Sequence, residues 1–154
     1  MKRKILDAGA FIENLYTEGI TSESVAEETK VPPTVEILSP KTKFIKKIRL
    51  AAKETGDLDV LSKADLDILA LGLEMKGTIV SNDFSVQNVA EHLKMPWEGA
   101  GKSITKKINW IWYCPGCKKL QNTKGECEFC GTETKRRPKG PRNRKNDKTL
   151  RKHL

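Results

Sequence analysis

The sequence predicts an α/β domain with a largely parallel sheet, followed by a small β module built around four cysteines. Three observations predict it. Short apolar runs suited to strands alternate with stretches of helical periodicity over residues 1–97, the pattern of a parallel sheet covered by helices. The cysteines come as two pairs, Cys114-Pro-Gly-Cys117 and Cys127-Glu-Phe-Cys130. The charge is split: residues 1–99 carry 13 basic and 16 acidic side chains, a net of −3, while residues 100–154 carry 16 and 4, a net of +12.

The elements follow in order. Lys4-Ile5-Leu6 reads as a buried strand ending at Asp7, with Gly9 allowing a tight turn. Ile12, Leu15, Tyr16 and Gly19 fall at helical spacing, with Gly19 as the stop. Thr21 or Ser22 can cap a second short helix through Thr29. Pro32-Pro33 breaks the chain, and Thr34 to Leu38 reads as a strand. A helix follows with Phe44, Ile48 and Ala51 on one side, fading near Gly56. Ser62 caps a stronger helix in which Leu66, Leu69, Ala70 and Leu73 repeat, and Gly77 ends it. Thr78 to Ser81 is a strand, Asp83 follows, and Val86, Val89, Ala90 and Leu93 form another helical face closed by Pro96. The domain limits are 1–97 for this unit, 98–107 for a linker, 108–134 for the cysteine module and 135–154 for a basic flexible tail.

Composition excludes some classes. The chain has 154 residues and a formal charge of +9. No run approaches the ~18 apolar residues of a membrane span. Lys2-Arg3-Lys4 precedes only Ile5-Leu6 before Asp7, which is not the apolar core of a secretory signal. That argues for an intracellular setting and against a secreted disulfide scaffold. The basic excess beyond residue 99 suits a polyanion, of which nucleic acid is the commonest; its plainer reading is a solubilising tail.

Two Cys-x-x-Cys turns nine residues apart can present four thiolates to one ion as the ends of a β-hairpin. Four sulfurs satisfy tetrahedral Zn²⁺ completely, which makes Cys114, Cys117, Cys127 and Cys130 a structural zinc set; an iron site of the rubredoxin kind uses the same ligands. Gly116 and Gly131 suit the tight knuckles. Trp110, Trp112 and Tyr113 precede the first pair and read as packing for a small core, with base stacking as the functional alternative.

The acidic residues Asp7, Glu28, Asp65 and Asp83 are candidates for chemistry. Singly, Asp7 and Asp83 can cap the helices after them, Asp65 stands in capping-box spacing from Ser62, and Glu28 can be a solvated acid. Together, two lie at strand ends and two on neighbouring helices. Carboxylates forced together repel, and a hard divalent cation such as Mg²⁺ or Mn²⁺ relieves the repulsion. Such an ion lowers the pKa of bound water and stabilises charge on a phosphoryl group. Asp67 is an outer candidate, and Asp57 and Asp59 read as loop charges. His92 reads as an exposed helix residue and His153 lies in the tail; neither has a partner visible in sequence.

Leu6-Asp7-Ala8-Gly9-Ala10-Phe11, Ser62-Lys63-Ala64-Asp65 and Ser81-Asn82-Asp83-Phe84-Ser85-Val86-Gln87-Asn88-Val89-Ala90 resemble the acidic motifs of PIN-domain ribonucleases. With the zinc ribbon behind them, residues 1 to about 135 resemble the archaeal Nob-one endonuclease family. The resemblance implies a Rossmann-like PIN fold, cleavage of RNA with Mn²⁺ or Mg²⁺, maturation of the 3′ end of precursor small-subunit (16S-type) rRNA, and the pre-small ribosomal subunit as partner in the cytoplasm. It implies Asp7, Asp65 and Asp83 as the first, third and fourth acids, with Asp7 and Asp83 on the catalytic ion. Glu28 matches the second, with Glu27 and Glu36 as substitutes. Two positions depart from the PIN pattern: Gly9, where Ser or Asn is common, and Asn82, where a second Asp is common. The basic residues Lys135, Arg136, Arg137, Lys139, Arg142, Arg144 and Lys145 are expected to follow RNA backbone. The rival readings are a non-catalytic rRNA-binding assembly factor and a PIN-type toxin ribonuclease. Oligomeric state has no signature in the sequence.

Overall fold

A computed structural model of the chain describes residues 3–12, 16–99, 108–121 and 124–139. The chain divides into two compact units at Lys107 and Ile108.

The first unit is a five-stranded parallel sheet with helices in its crossovers. Its strands are β1 (Lys4–Leu6), β2 (Gly19–Ser22), β3 (Val35–Leu38), β4 (Thr78–Val80) and β5 (Trp97–Glu98), in the order β3-β2-β1-β4-β5. The helices are α1 (Ala8–Ile12), α2 (Glu23–Glu28), α3 (Thr42–Thr55), α4 (Lys63–Met75) and α5 (Phe84–His92), with a short 3-10 turn at Leu58–Val60. Ile5 of the central strand lies between Ile20 and Ile79, and all three are almost wholly shielded from water. Strands covered on both faces need such continuous apolar runs. Helix α4 buries Leu66, Ile68, Leu69, Ala70 and Leu71. It packs so tightly on β4 that a Cβ on Gly72 would stand 2.3 Å from Ile79 Cδ1.

Two strands differ from the sequence reading. Gly19, read as a helix stop, begins β2, and α1 ends at Ile12. The segment Gly-Ile-Thr-Ser has one strongly apolar residue and no alternation; its strand character comes from pairing with β1 and β3, and from the Thr21 hydroxyl, which donates to Leu6 O at 2.7 Å. Leu15 of the predicted helix lies outside the described residues. Strand β5 carries Glu98, read as the first linker residue, into the sheet beside β4. Lys4 pairs with its carboxylate and the Tyr16 hydroxyl donates to it at 3.1 Å. Three helix termini are where the sequence placed them: Ser22 accepts from Val25 N, Ser62 and Asp65 form a capping box, and Gly56 closes α3 at φ 81°.

The second unit is a three-stranded antiparallel sheet, β7-β6-β8, from β6 (Trp110–Tyr113), β7 (Leu120–Gln121) and β8 (Lys135–Pro138). Strand β8 corrects the flexible tail, which was read to begin at 135. Lys135, Arg136 and Arg137 pair with Tyr113, Trp112 and Ile111. The Arg136 guanidinium lies 4.1 Å from the Trp110 ring centre and Arg137 lies 5.7 Å from that of Tyr113. Long basic side chains cover aromatic faces this way, so charge does not prevent a strand here. Trp112 is buried, in line with the packing reading. Arg142, Arg144, Lys145 and His153 lie outside the described residues.

Candidate active site and cysteine metal centre

The C-terminal ends of β1 and β4 are where an open parallel sheet presents its ligand crevice. Asp7 follows β1 and is 7% exposed. Its Oδ1 accepts from Ala8 N at 2.8 Å and its Oδ2 accepts from the Ser81 hydroxyl at 2.7 Å. Ser81 follows β4, is fully buried, and also accepts from Asp83 N at 3.1 Å. One serine therefore fixes the two strand-end acids relative to each other. It lay inside a quoted motif, but nothing in sequence marked it as the bridge. Gln87 reinforces it by donating to Ser81 O at 2.7 Å.

Asp83 caps α5, accepting from Ser85 N at 2.8 Å, and Asp65 Oδ2 accepts from Ser62 N at 2.8 Å. The innocent cap readings are thus geometrically real. They do not compete with the cluster, because a cap uses one lone pair and points the carboxylate past the helix end. Burial pushes the Asp7 carboxyl above its usual range, opposed by the Ser81 and Ala8 hydrogen bonds and helped by the charges of Asp83 and Glu28. Burial pushes Asp65 to about 6, against its Ser62 hydrogen bonds and with help from Asp7 and Asp83. Asp7 therefore shares its surroundings with the charges of Asp83, Glu28 and Asp65. Of the substitutes for Glu28, Glu36 is engaged by Arg3 at 3.5 Å, and Glu27 is exposed, as is Glu28 itself.

Among the described residues, the cysteines are the only group of three or more ligating side chains whose donor atoms lie within 4.8 Å of one another. The carboxylates stand wider. Oxygen donors are the ligand type of a hard divalent ion, which keeps several waters and takes one or two carboxylates plus substrate phosphates. The positions of departure are neighbours, since a Cβ on Gly9 would lie 3.5 Å from Asn82 Nδ2.

Other acids are placed differently. Asp67 is buried, accepts from the Ser24 hydroxyl and pairs with Lys63 at 3.4 Å. Asp57, read as a loop charge, is fully buried and accepts from Thr55 Oγ1 and Asn88 Nδ2, each at 2.7 Å. It ties the end of α3 to α5, a long-range pairing that local sequence does not show. Asp59 is exposed, as read. His92 is half-buried and meets Glu54 Oε2 at 2.8 Å, which corrects its reading as an exposed residue.

In the second unit, Cys114 and Cys130 sulfurs are 3.3 Å apart and those of Cys117 and Cys127 are 3.6 Å apart. These are too long for disulfides. Four sulfurs at ~2.3 Å from a tetrahedral ion would be spaced by roughly 3.8 Å, so the set fits such an ion. The two knuckles repeat one geometry: Lys118 N donates to Cys114 O and Gly131 N to Cys127 O, each at 2.9 Å. Lys118 and Gly131 take φ of 65° and 75°. Gly116 has another role, because a Cβ there would stand 2.9 Å from Thr132 Oγ1. The Thr132 hydroxyl and backbone hold the Cys130 thiol down to about 6, which favours the ligating thiolate. No described helix is long and apolar enough to cross a membrane.

Comparison with known proteins places this architecture. Residues 5–75 match the model of the PIN domain of ribonuclease. Ribonuclease VapC1 of Thermoplasma acidophilum is 42% identical over 106 residues, 68% of this chain and 55% of that protein, so the chain spans about half its length. Endoribonuclease Nob1 of Pyrococcus abyssi is 33% identical over 90% of this chain and 95% of its own. Endoribonuclease Nob1 of Methanocaldococcus jannaschii is 35% identical over 89% and 78%. With a parallel PIN-type sheet, a cysteine-bearing β ribbon and this coverage, the chain belongs to the Nob1 endoribonucleases.

Proposed function

We propose that this endoribonuclease cuts precursor small-subunit, 16S-type rRNA at its 3′ end, working on the pre-small ribosomal subunit in the cytoplasm. The observation that carries a hydrolytic reading is the Ser81 hydroxyl, which donates to Asp7 and accepts from Asp83 N where the parallel sheet opens. The substrate reading is supported by the motif order, the ribbon and the Nob1 relatives aligned along most of the chain.

Asp7 and Asp83 would hold a Mn²⁺ or Mg²⁺ ion, which supplies a water of lowered pKa and offsets charge on the scissile phosphate. Asp7 keeps lone pairs free for this because, among the described residues, each oxygen accepts one hydrogen bond, from Ala8 N or Ser81. Ser81 holds Asp7 and the Asp83 backbone in fixed relation before RNA arrives. Asp65 and Glu28 complete the cluster or orient the attacking water. Cys114, Cys117, Cys127 and Cys130 would hold one structural Zn²⁺, fastening a ribbon too small to stand on its own core. Lys135, Arg136, Arg137 and Lys139, with Arg142, Arg144 and Lys145 beyond the described residues, would follow RNA backbone.

The test is cleavage of an RNA fragment spanning the small-subunit rRNA 3′ end, with and without Mn²⁺, by wild type and Asp7→Asn. The reading requires a Mn²⁺-dependent cut that Asp7→Asn abolishes. Equal behaviour of the two proteins would favour the assembly-factor alternative. An unrelated RNA cut as fast would favour the toxin ribonuclease.

A further inference from the structure

We propose that the outer face of α3 is a docking surface for the phosphate backbone of RNA, formed by residues separate from the acid cluster and from the ribbon. Residues 1–99 are net acidic by count, yet their charge is segregated. Lys43, Lys46, Lys47, Arg49 and Lys53 are exposed on α3, on the side opposite the buried Ile48, Ala51, Ala52 and Thr55. Spacings of three and four residues put them beside one another, and the stripe from Lys43 to Lys53 is about 15 Å long at the helical rise.

Among the described residues no carboxylate pairs with any of the five, whereas Arg3, Lys4, Lys41 and Lys63 of the same unit pair with Glu36, Glu98, Glu74 and Asp67. The helix's own acid, Glu54, meets His92 instead. The arrangement works against the helix. Like charges at these spacings repel, and α3 begins with Lys41 as N-cap, no side-chain cap and no acid in its first turn, where the dipole prefers negative charge. A merely solvated face would intersperse both signs. A local conflict of this kind is the mark of a surface kept for a ligand.

The ligand chemistry follows. An endoribonuclease meets a polyanion longer than its crevice, and ammonium and guanidinium groups in a row neutralise successive phosphates. Lys43 and Lys47 lie 5.1 and 5.7 Å from the Phe44 ring, which lays their stems along the surface. Leu50, 62% exposed within the stripe, offers apolar contact to a ribose or base. The proposal rests on the endoribonuclease assignment alone and not on which RNA is cut.

The test is a salt titration of poly(U) binding by the full chain without added divalent cation. Lys46→Gln/Arg49→Gln/Lys53→Gln is compared with wild type and with Lys30→Gln/Lys76→Gln/Lys94→Gln. The second triple removes the same charge from exposed lysines elsewhere on the unit. The α3 triple should bind more weakly and flatten the log–log slope by about 2, at ~0.7 per lost single-strand contact. The control triple should keep the wild-type slope, and the charge-preserving Lys46→Arg/Lys53→Arg should keep it too. A wild-type slope in the α3 triple would overturn the proposal, as would an equal loss in the control triple. Failure to cut precursor rRNA would leave the poly(U) slopes as they are, so the two readings fail separately.

Discussion

Replacing Asp65 by Asn tests whether burial, helped by the charges of Asp7 and Asp83, strains the Asp65 carboxylate. An unfolded aspartate titrates near ~3.9, and the folded Asp65 titrates at about 6. Between those values the unfolded chain has released this proton while the folded chain still holds it. The unfolded state then binds fewer protons, so stability falls as pH rises through the window and levels off above the folded pKa. Two pKa units correspond to roughly 2.7 kcal/mol. Asp65 is partly exposed, so about 1–2 kcal/mol is the expected size after solvent screening. Asp65→Asn keeps an acceptor for Ser62 N but carries no charge. In metal-free protein its stability relative to wild type should therefore rise by about 1–2 kcal/mol between about pH 4 and pH 7. Denaturant melts followed by helical circular dichroism read the first unit alone, since all described helices lie there. The slope of the difference with pH is the test, because any defect of the Asn cap is independent of pH. A difference that stays flat from pH 4 to 7 would refute the strain on the Asp65 carboxylate and leave Asp65 as a helix cap.

Three further outcomes follow from the same geometry. Asp7→Asn and Asp83→Asn should each abolish cleavage with RNA affinity nearly intact, and Ser81→Ala should lower cleavage or apparent Mn²⁺ affinity by about 10–100-fold through loss of the bridge, as read by single-turnover kinetics over a Mn²⁺ series. Purified protein should carry one zinc by elemental analysis, and Cys127→Ser should lose it and unfold the ribbon while the helical melt of the first unit is unchanged. Gly72→Ala should destabilise the first unit by about 1–3 kcal/mol in the same melts, because its Cβ collides with Ile79 across the α4–β4 contact.

By itself the sequence determined what local chemistry determines. The caps at Ser22, Ser62 and Asp83, the αL stop at Gly56 and the two cysteine knuckles need only neighbours in the chain, and each stands where its residues indicate. The acids were legible as candidates because strand ends in an α/β chain point to one edge. What only the tertiary structure decided depends on residues far apart. Gly19–Ser22 is a strand because β1 and β3 flank it, and Trp97–Glu98 because β4 offers an edge. Lys135–Pro138 leaves the tail because β6 presents an unpaired side and aromatic faces for arginine to cover. Ser81 becomes a bridge, and Asp57 a buried anchor, through partners 74 and 31 residues away. Net charge likewise hid the α3 stripe, because a count adds charges that folding separates onto different faces. Hydrogen bonds and Coulomb fields act through space, and chain distance carries that information only within a few turns of one element.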